Sequence, residues 1–187
     1  MPRQGLDAAR VVEEAARIAD AEGLDEVTLA RVASALGVRA PSLYNHVDGR
    51  AGLLRLLALR SVVELGDALR DAAVGRSRAD ALRAIAHAYR AYAHEHPGRY
   101  VATVWAPAPG DEELAAAAGR AVEVVVAVIA GWGFEGDQVL HRVRAVRASL
   151  HGFVAIEAEG GFGLPLDLNQ SFELMLATLV AGLENAG

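Results

Sequence analysis

Only Gly37 and Val38 separate two segments whose apolar residues repeat at helical spacing, and two helices joined by so short a turn must pack as a tight corner. In the first segment Leu29, Val32, Ala33 and Leu36 follow the i, i+3, i+4, i+7 rule behind Thr28 as a cap, and Gly37 stops the run. In the second, Pro41 is tolerated in a first helical turn, and Leu43, Tyr44 and Val47 repeat at helical spacing until Asp48-Gly49 breaks it. Upstream, Asp7 caps a helix carrying Val11, Ala15 and Ile18 that ends at Gly23. Downstream, Leu53, Leu54, Leu57 and Leu65 open a long fourth helix. The spacing therefore predicts three short helices, the last two forming a helix-turn-helix, over residues 1–50.

The remaining residues, 51–187, also read as helical, so the fold class is all-α. Much Ala, Leu and Val with only 5% aromatic residues favours helices over strands. Ser77 or Arg78 starts a helix with Leu82, Ile85, Ala86 and Tyr89 that ends at His96-Pro97-Gly98, and a short apolar segment, Tyr100 to Trp105, runs into Pro107 and Pro109. Asp111 begins a helix reaching Ala130, followed by a turn at Gly131, Gly133 and Gly136. The last two helices carry stripes, Val139, Val143, Val146, Leu150 and Phe153, then Phe172, Leu176, Leu179 and Leu183. The stripes suit a helix-bundle interface between two copies, although a single chain's own core would repeat in the same way.

With no cysteine, disulfides and thiolate metal sites are excluded, and an intracellular home is expected. The N-terminus lacks the apolar core of a signal peptide. The longest uncharged apolar run, Val124 to Phe134, is far shorter than the roughly 18 to 20 residues of a membrane span. A cytoplasmic protein without membrane contact is the expectation. The net charge of -6 argues against coating nucleic acid by bulk electrostatics, since phosphate contacts dominate such binding. Between Thr28 and Arg50, however, Arg31, Arg39 and Arg50 face Asp48 alone.

A recognition helix must offer small or polar groups to base edges while apolar groups anchor its other face. The segment from Arg39 to Val47 can do both. Leu43 and Val47 face inward; Ala40, Pro41, Ser42, Tyr44, Asn45 and His46 are left for solvent or DNA. Ala40 or Pro41 could meet a thymine methyl, Ser42 a base or phosphate, and Asn45 an adenine edge. Arg50 could hold a phosphate, as could the free N–H groups behind Thr28. Tyr44 reads either as a DNA contact or as a packing aromatic.

The run V-T-L-A-R-V-A-S-A-L-G-V-R-A-P-S-L-Y-N-H-V-D-G-R-A-G-L-L, from Val27 to Leu54, resembles the DNA-binding signature of TetR-family repressors. The resemblance implies a three-helix DNA-binding domain and DNA contact by Thr28, Ala40, Pro41, Ser42, Tyr44, Asn45, His46 and Arg50. Arg39, next to them, joins the candidate set where many members carry Ser or Thr. Further on, Leu150-His151-Gly152-Phe153, the Gly160 to Gly163 loop and Ser171-Phe172 are similar to the subfamily whose regulatory domain carries a W-H-G signature. What this implies is a helical ligand-binding and dimerisation domain. It also implies a homodimer paired through the last two helices, a double-stranded DNA operator of palindromic form, and release by a small apolar or amphipathic effector.

Tyr92, Trp105, His151, Phe153 and Phe162 are candidates for an effector pocket, each equally readable as core. His94 and His96 diverge at a spacing of two on a helix, so no metal is expected, and no cofactor. Catalysis finds no support. Neither paired Glu-x-x-His segments nor a phosphate-binding Gly-rich loop is present. A helical ligand-binding protein that has lost DNA binding is the remaining alternative.

Overall fold

A computed structural model describes residues 6–186. Helix α1 (Ala8–Glu22) starts where Asp7 accepts from the Arg10 N–H at 2.8 Å and stops at Gly23, whose φ of 97° suits a residue without a Cβ. A short 3-10 turn (Leu24–Glu26) leads to α2 (Leu29–Leu36), and a second (Ala40–Asn45) leads to α3 (Gly49–Ala73). Then follow α4 (Arg78–Glu95), α5 (Pro97–Thr103), α6 (Glu112–Ala130), α7 (Asp137–Ala158) and α8 (Leu168–Glu184). No strand occurs among the described residues, and no described helix is long and apolar enough to cross a membrane.

The described residues divide into two compact units, one of those up to 64 with 95–117, the other of 65–94 with those from 118 onward. The division falls inside α3. In the first unit Val11, Ala15, Ile18, Val27, Val32, Leu43, Leu53 and Leu57 are completely buried together. Helix α5 belongs to this core as well. At Gly98 an added Cβ would lie 2.0 Å from the carbonyl oxygen of Ala19, so α5 approaches α1 as closely as only glycine permits. Beside that contact Arg99 donates its backbone N–H and its Nε to the two carboxylate oxygens of Asp20, at 2.9 and 2.7 Å, and its Nη1 to Glu64 at 2.7 Å. One guanidinium thus ties α1, α3 and α5 together.

The second unit packs Leu82, Ile85 and Ala86 of α4 with Ile129 of α6, the α7 stripe and Phe172 and Leu176 of α8. Phe172 meets Phe153 at 5.1 Å and the His87 ring edge-on at 5.5 Å. Arg90 lies 4.8 Å from the Phe172 ring centre and donates its Nε to Glu157 at 2.8 Å, so its charge is paired where it leaves solvent. The carboxyl of Glu157 is held below the ordinary carboxylate range by that hydrogen bond.

Two expectations need correction. The stripe of Val139, Val143, Val146, Leu150 and Phe153 is buried within its own unit, as are Phe172, Leu176 and Leu183, so these residues cannot form an interface between copies. The periodicity reported burial and not what covers it. The short apolar segment from Tyr100 to Trp105, which the sequence does not mark as a helix, belongs largely to α5. Pro97 ends α4 because the residue before proline avoids helical backbone, and it opens α5 because its own φ is already helical.

The Gly98 contact makes a testable demand. Gly98→Ala forces a methyl into backbone and should lower unfolding free energy by about 3 kcal/mol in urea titration. Unchanged stability would mean that α5 does not sit against α1 as described.

Candidate nucleic-acid interface

The helix-turn-helix is built by caps. The Thr28 Oγ1 accepts from the Arg31 N–H at 3.1 Å, which leaves the N–H groups of Leu29 and Ala30 without intrahelical acceptors at the open end of α2. At the other end Gly37 takes left-handed backbone, φ 67°, and the N–H groups of Gly37 and Val38 return to Ser34 and Ala33 at 3.1 and 3.0 Å. That turn redirects the chain within two residues.

The segment after it is a 3-10 turn of six residues and not the α-helix that the spacing suggested. Pro41 has no N–H to give, and the Ser42 and His46 N–H groups reach back three residues, to Arg39 and Leu43, at 2.9 Å each. Val47 makes a four-residue bond, to Leu43 at 3.0 Å. The anchoring expected of Leu43 and Val47 is present. They are 0% and 5% exposed, and burying two such side chains contributes about 4 kcal/mol.

Around these anchors the candidate residues divide. Pro41, Tyr44 and Asn45 are exposed, Tyr44 at 63%, and Arg39 is exposed at the start of the turn. Ser42 and His46 are half-buried. Ala40 is also half-buried and packs against the core, so its methyl is partly engaged by the domain. Tyr44 thus takes the exposed of its two readings.

Arg50 occupies the first turn of α3. Its Nε donates to the Val27 carbonyl at 2.8 Å and its Nη2 to those of Asp25 and Leu24 at 3.3 and 3.4 Å. Its charge therefore meets carbonyl dipoles and, among the described residues, no carboxylate. Arg31 differs. Its guanidinium is taken by Glu22, with Nε donating at 3.0 Å, and the same bond holds the Glu22 carboxyl below the usual range. The positive excess counted between Thr28 and Arg50 therefore rests on Arg39 and Arg50. Nothing in the spacing announced either arrangement, because the carbonyls of the Leu24–Glu26 turn and the Glu22 carboxylate reach these arginines only through the fold.

The five candidates for an effector pocket do not all gather. Phe153 and Phe162 meet at 4.9 Å, Tyr92 is buried and His151 half-buried in the same unit, whereas Trp105 belongs to the other unit and is 42% exposed.

Residues 11–57 match the family described as bacterial regulatory proteins, tetR family, and residues 82–179 match the tetracyclin repressor-like C-terminal domain. An uncharacterised HTH-type transcriptional regulator of Mycobacterium tuberculosis, Rv0681, is 39% identical over 175 residues, 93% of this chain and 80% of the relative. YobS, an uncharacterised HTH-type transcriptional regulator of Bacillus subtilis, is 33% identical over 183 residues, 97% of this chain and 95% of its own. Among solved structures, the TetR family protein ActR of Streptomyces coelicolor, in complex with (S)-DNPA, matches with a TM-score of 0.71. The match covers 98% of this chain and 100% of ActR at 20% identity, a likeness of fold.

The carbonyl-bound Arg50 and the outward Tyr44 should differ in what they contribute to stability. Arg50→Ala releases three carbonyls and should lower unfolding free energy by about 1 kcal/mol, while Tyr44→Ala should change it by less than about 0.5 kcal/mol. Chemical denaturation of both variants checks this, and a larger loss for Tyr44→Ala would put that ring in the core.

Proposed function

The chain belongs to the TetR family of bacterial transcriptional regulators, DNA-binding proteins and not enzymes, and from that premise we propose a specific role. It is a cytoplasmic repressor that holds a palindromic operator as a homodimer and leaves it when a small apolar or amphipathic effector binds the C-terminal unit.

The observation that carries this reading is the anchored turn from Ala40 to Asn45, which offers Pro41, Tyr44 and Asn45 outward from a buried Leu43. Such a face suits base edges in a major groove, with Asn45 reading adenine and Arg39 on the backbone phosphates. Ala40, Ser42 and His46 complete the face, and the α2 N-terminus behind Thr28 offers N–H groups to a phosphate. Arg50 contributes its charge while holding the turn before α2. In the C-terminal unit, the segment around His151 keeps the subfamily resemblance, and Tyr92, Phe153 and Phe162 are the effector contacts proposed there. The complex of ActR with (S)-DNPA supports a small-molecule effector by analogy of fold. Helix α3, whose residues are shared between the two units, would carry the effector's influence to the DNA-binding end, and by linkage DNA weakens effector binding by the same factor.

Pairing through α7 and α8 requires a face other than the buried stripes. Leu140, Ile156 and Leu174 are exposed, the last at 70%, and Ala145, Ala148, Ala177 and Ala181 lie exposed on the same two helices. Gly182, in the last turn of α8, has nothing within 4 Å of where a Cβ would sit. A residue without a side chain there, open to solvent, suits close approach by a second copy.

Two experiments test the proposal. In fluorescence anisotropy on operator DNA, Asn45→Ala should lose about 1–3 kcal/mol of discrimination at one base pair. Arg39→Ala should weaken all sequences alike and lower the salt slope by about one. Equal behaviour of the two variants would remove the assigned roles. In light scattering after size exclusion, the chain should run at twice its 19.6 kDa and Gly182→Arg as a folded monomer. A wild-type monomer at micromolar concentration would overturn the dimer.

A further inference from the structure

At the turn joining α3 to α4, the C-terminal unit carries an open cleft of about 530 Å³, a size that suits a small ligand. Its rim holds Arg70, Arg76, Arg78 and Arg120 against one carboxylate, Glu123. Even with Asp67 paired to Arg70, two positive charges remain in excess, in a chain whose net charge is -6. The walls between them are apolar. Ala81 and Val128 are buried, Val124 is half-buried, and Val74 stands 68% exposed at the edge.

Three features of these exposed arginines bear on binding. Arg78 has φ 47°, a left-handed backbone that disfavours a side chain with a Cβ by about 1 kcal/mol and that Gly or Asn takes more readily. Strain of this kind persists only where the surrounding structure enforces it, here with the Arg78 side chain bonded to Gly131. Second, Arg76 and Arg78 are held by carbonyls: Arg76 Nη1 donates to Ala72 at 2.9 Å, and Arg78 Nε donates to Gly131 at 2.9 Å. These bonds fix both guanidiniums without cancelling their charge, and among the described residues the Nη groups of Arg78 make no bond. Third, Arg120 has no ion pair or hydrogen bond among the described residues, although Glu123 lies one turn further along α6.

We propose that this cleft binds a small amphipathic anion, a carboxylate or phosphate on a short hydrocarbon chain. The headgroup lies on Arg78 and Arg120, and the chain covers Val74, Val124 and Val128. Guanidinium forks suit either headgroup bidentately, and the apolar walls add affinity that an inorganic anion without a tail does not gain. None of the effector contacts proposed at Tyr92, Phe153 and Phe162 lines this cleft, so it is a second site of the C-terminal unit. As a binding site it stands without the regulator reading.

The test is calorimetric titration of the full chain, without DNA, with octanoate and octyl phosphate, the two headgroups distinguishing carboxylate from phosphate. Octan-1-ol and inorganic phosphate serve as tail-only and head-only probes. At least one amphiphile should bind saturably, and both partial probes at least roughly 10-fold more weakly. Arg120→Ala and Arg78→Asn should each weaken binding by roughly 10-fold or more at unchanged helix content. Arg78→Asn relieves backbone strain but gives up the bond to Gly131, so its unfolding midpoint is measured beside its affinity, and lower affinity at an unchanged midpoint is the result expected. Octan-1-ol binding as tightly as the anions, full affinity in both variants, or no saturable binding of either amphiphile would overturn the proposal. Because DNA is absent, failure here leaves the DNA-binding reading standing, and failure to find an operator leaves this result intact.

Discussion

The DNA-facing surface depends on the burial of two side chains. A 3-10 turn of six residues has poor hydrogen-bond geometry and little stability of its own. Leu43 and Val47, sunk into the core of α1, α2 and α3, hold it. They also orient it, because with those two groups inward the backbone has no choice but to turn Pro41, Tyr44 and Asn45 out. Gly37 before the turn and Gly49 after it, with φ of 67° and 61°, let the chain enter and leave at the required angles.

The domain that carries this surface is braced from a distance in sequence. Helix α5, some sixty residues beyond α2, lies against α1 through Gly98 and is locked there by Arg99, Asp20 and Glu64. A second brace joins Arg55 of α3 to Asp111 at 2.7 Å, just before α6. The compact unit that carries the turn therefore extends beyond the first fifty residues. Its packing includes the segment that follows α4 directly, so a change at the end of α4 has a covalent route into the helices that position Leu43.

Much of this was legible in the residues. Local chemistry announces itself: Asp7, Thr28 and Gly37 cap as their types require, and Leu53, Leu57 and Leu65 mark the long helix. What was not legible depends on partners remote in sequence. The Glu22 that takes the charge of Arg31, and the carbonyls of the Leu24–Glu26 turn that hold Arg50, lie on other elements. Pro97 carries two meanings, terminator and first residue, and only packing on α1 decides that both apply. The stripes of α7 and α8 show the limit of periodicity. They report that Val146 and Phe172 are buried, and the same pattern serves a chain's own core and a contact between copies. Among the aromatic candidates, Phe153 and Phe162 come together because a single loop returns α8 beside α7, whereas Trp105 lies in the other unit.

The central claim is that the face from Ala40 to His46 reads a duplex, two copies at a time. Selection of bound sequences from a random double-stranded pool tests it most directly. The account predicts enrichment of a site with two-fold symmetry, its half-sites about one helical turn apart, roughly 34 to 36 Å between centres. A pool that yields no enriched sequence, or only an unpaired half-site, would contradict it.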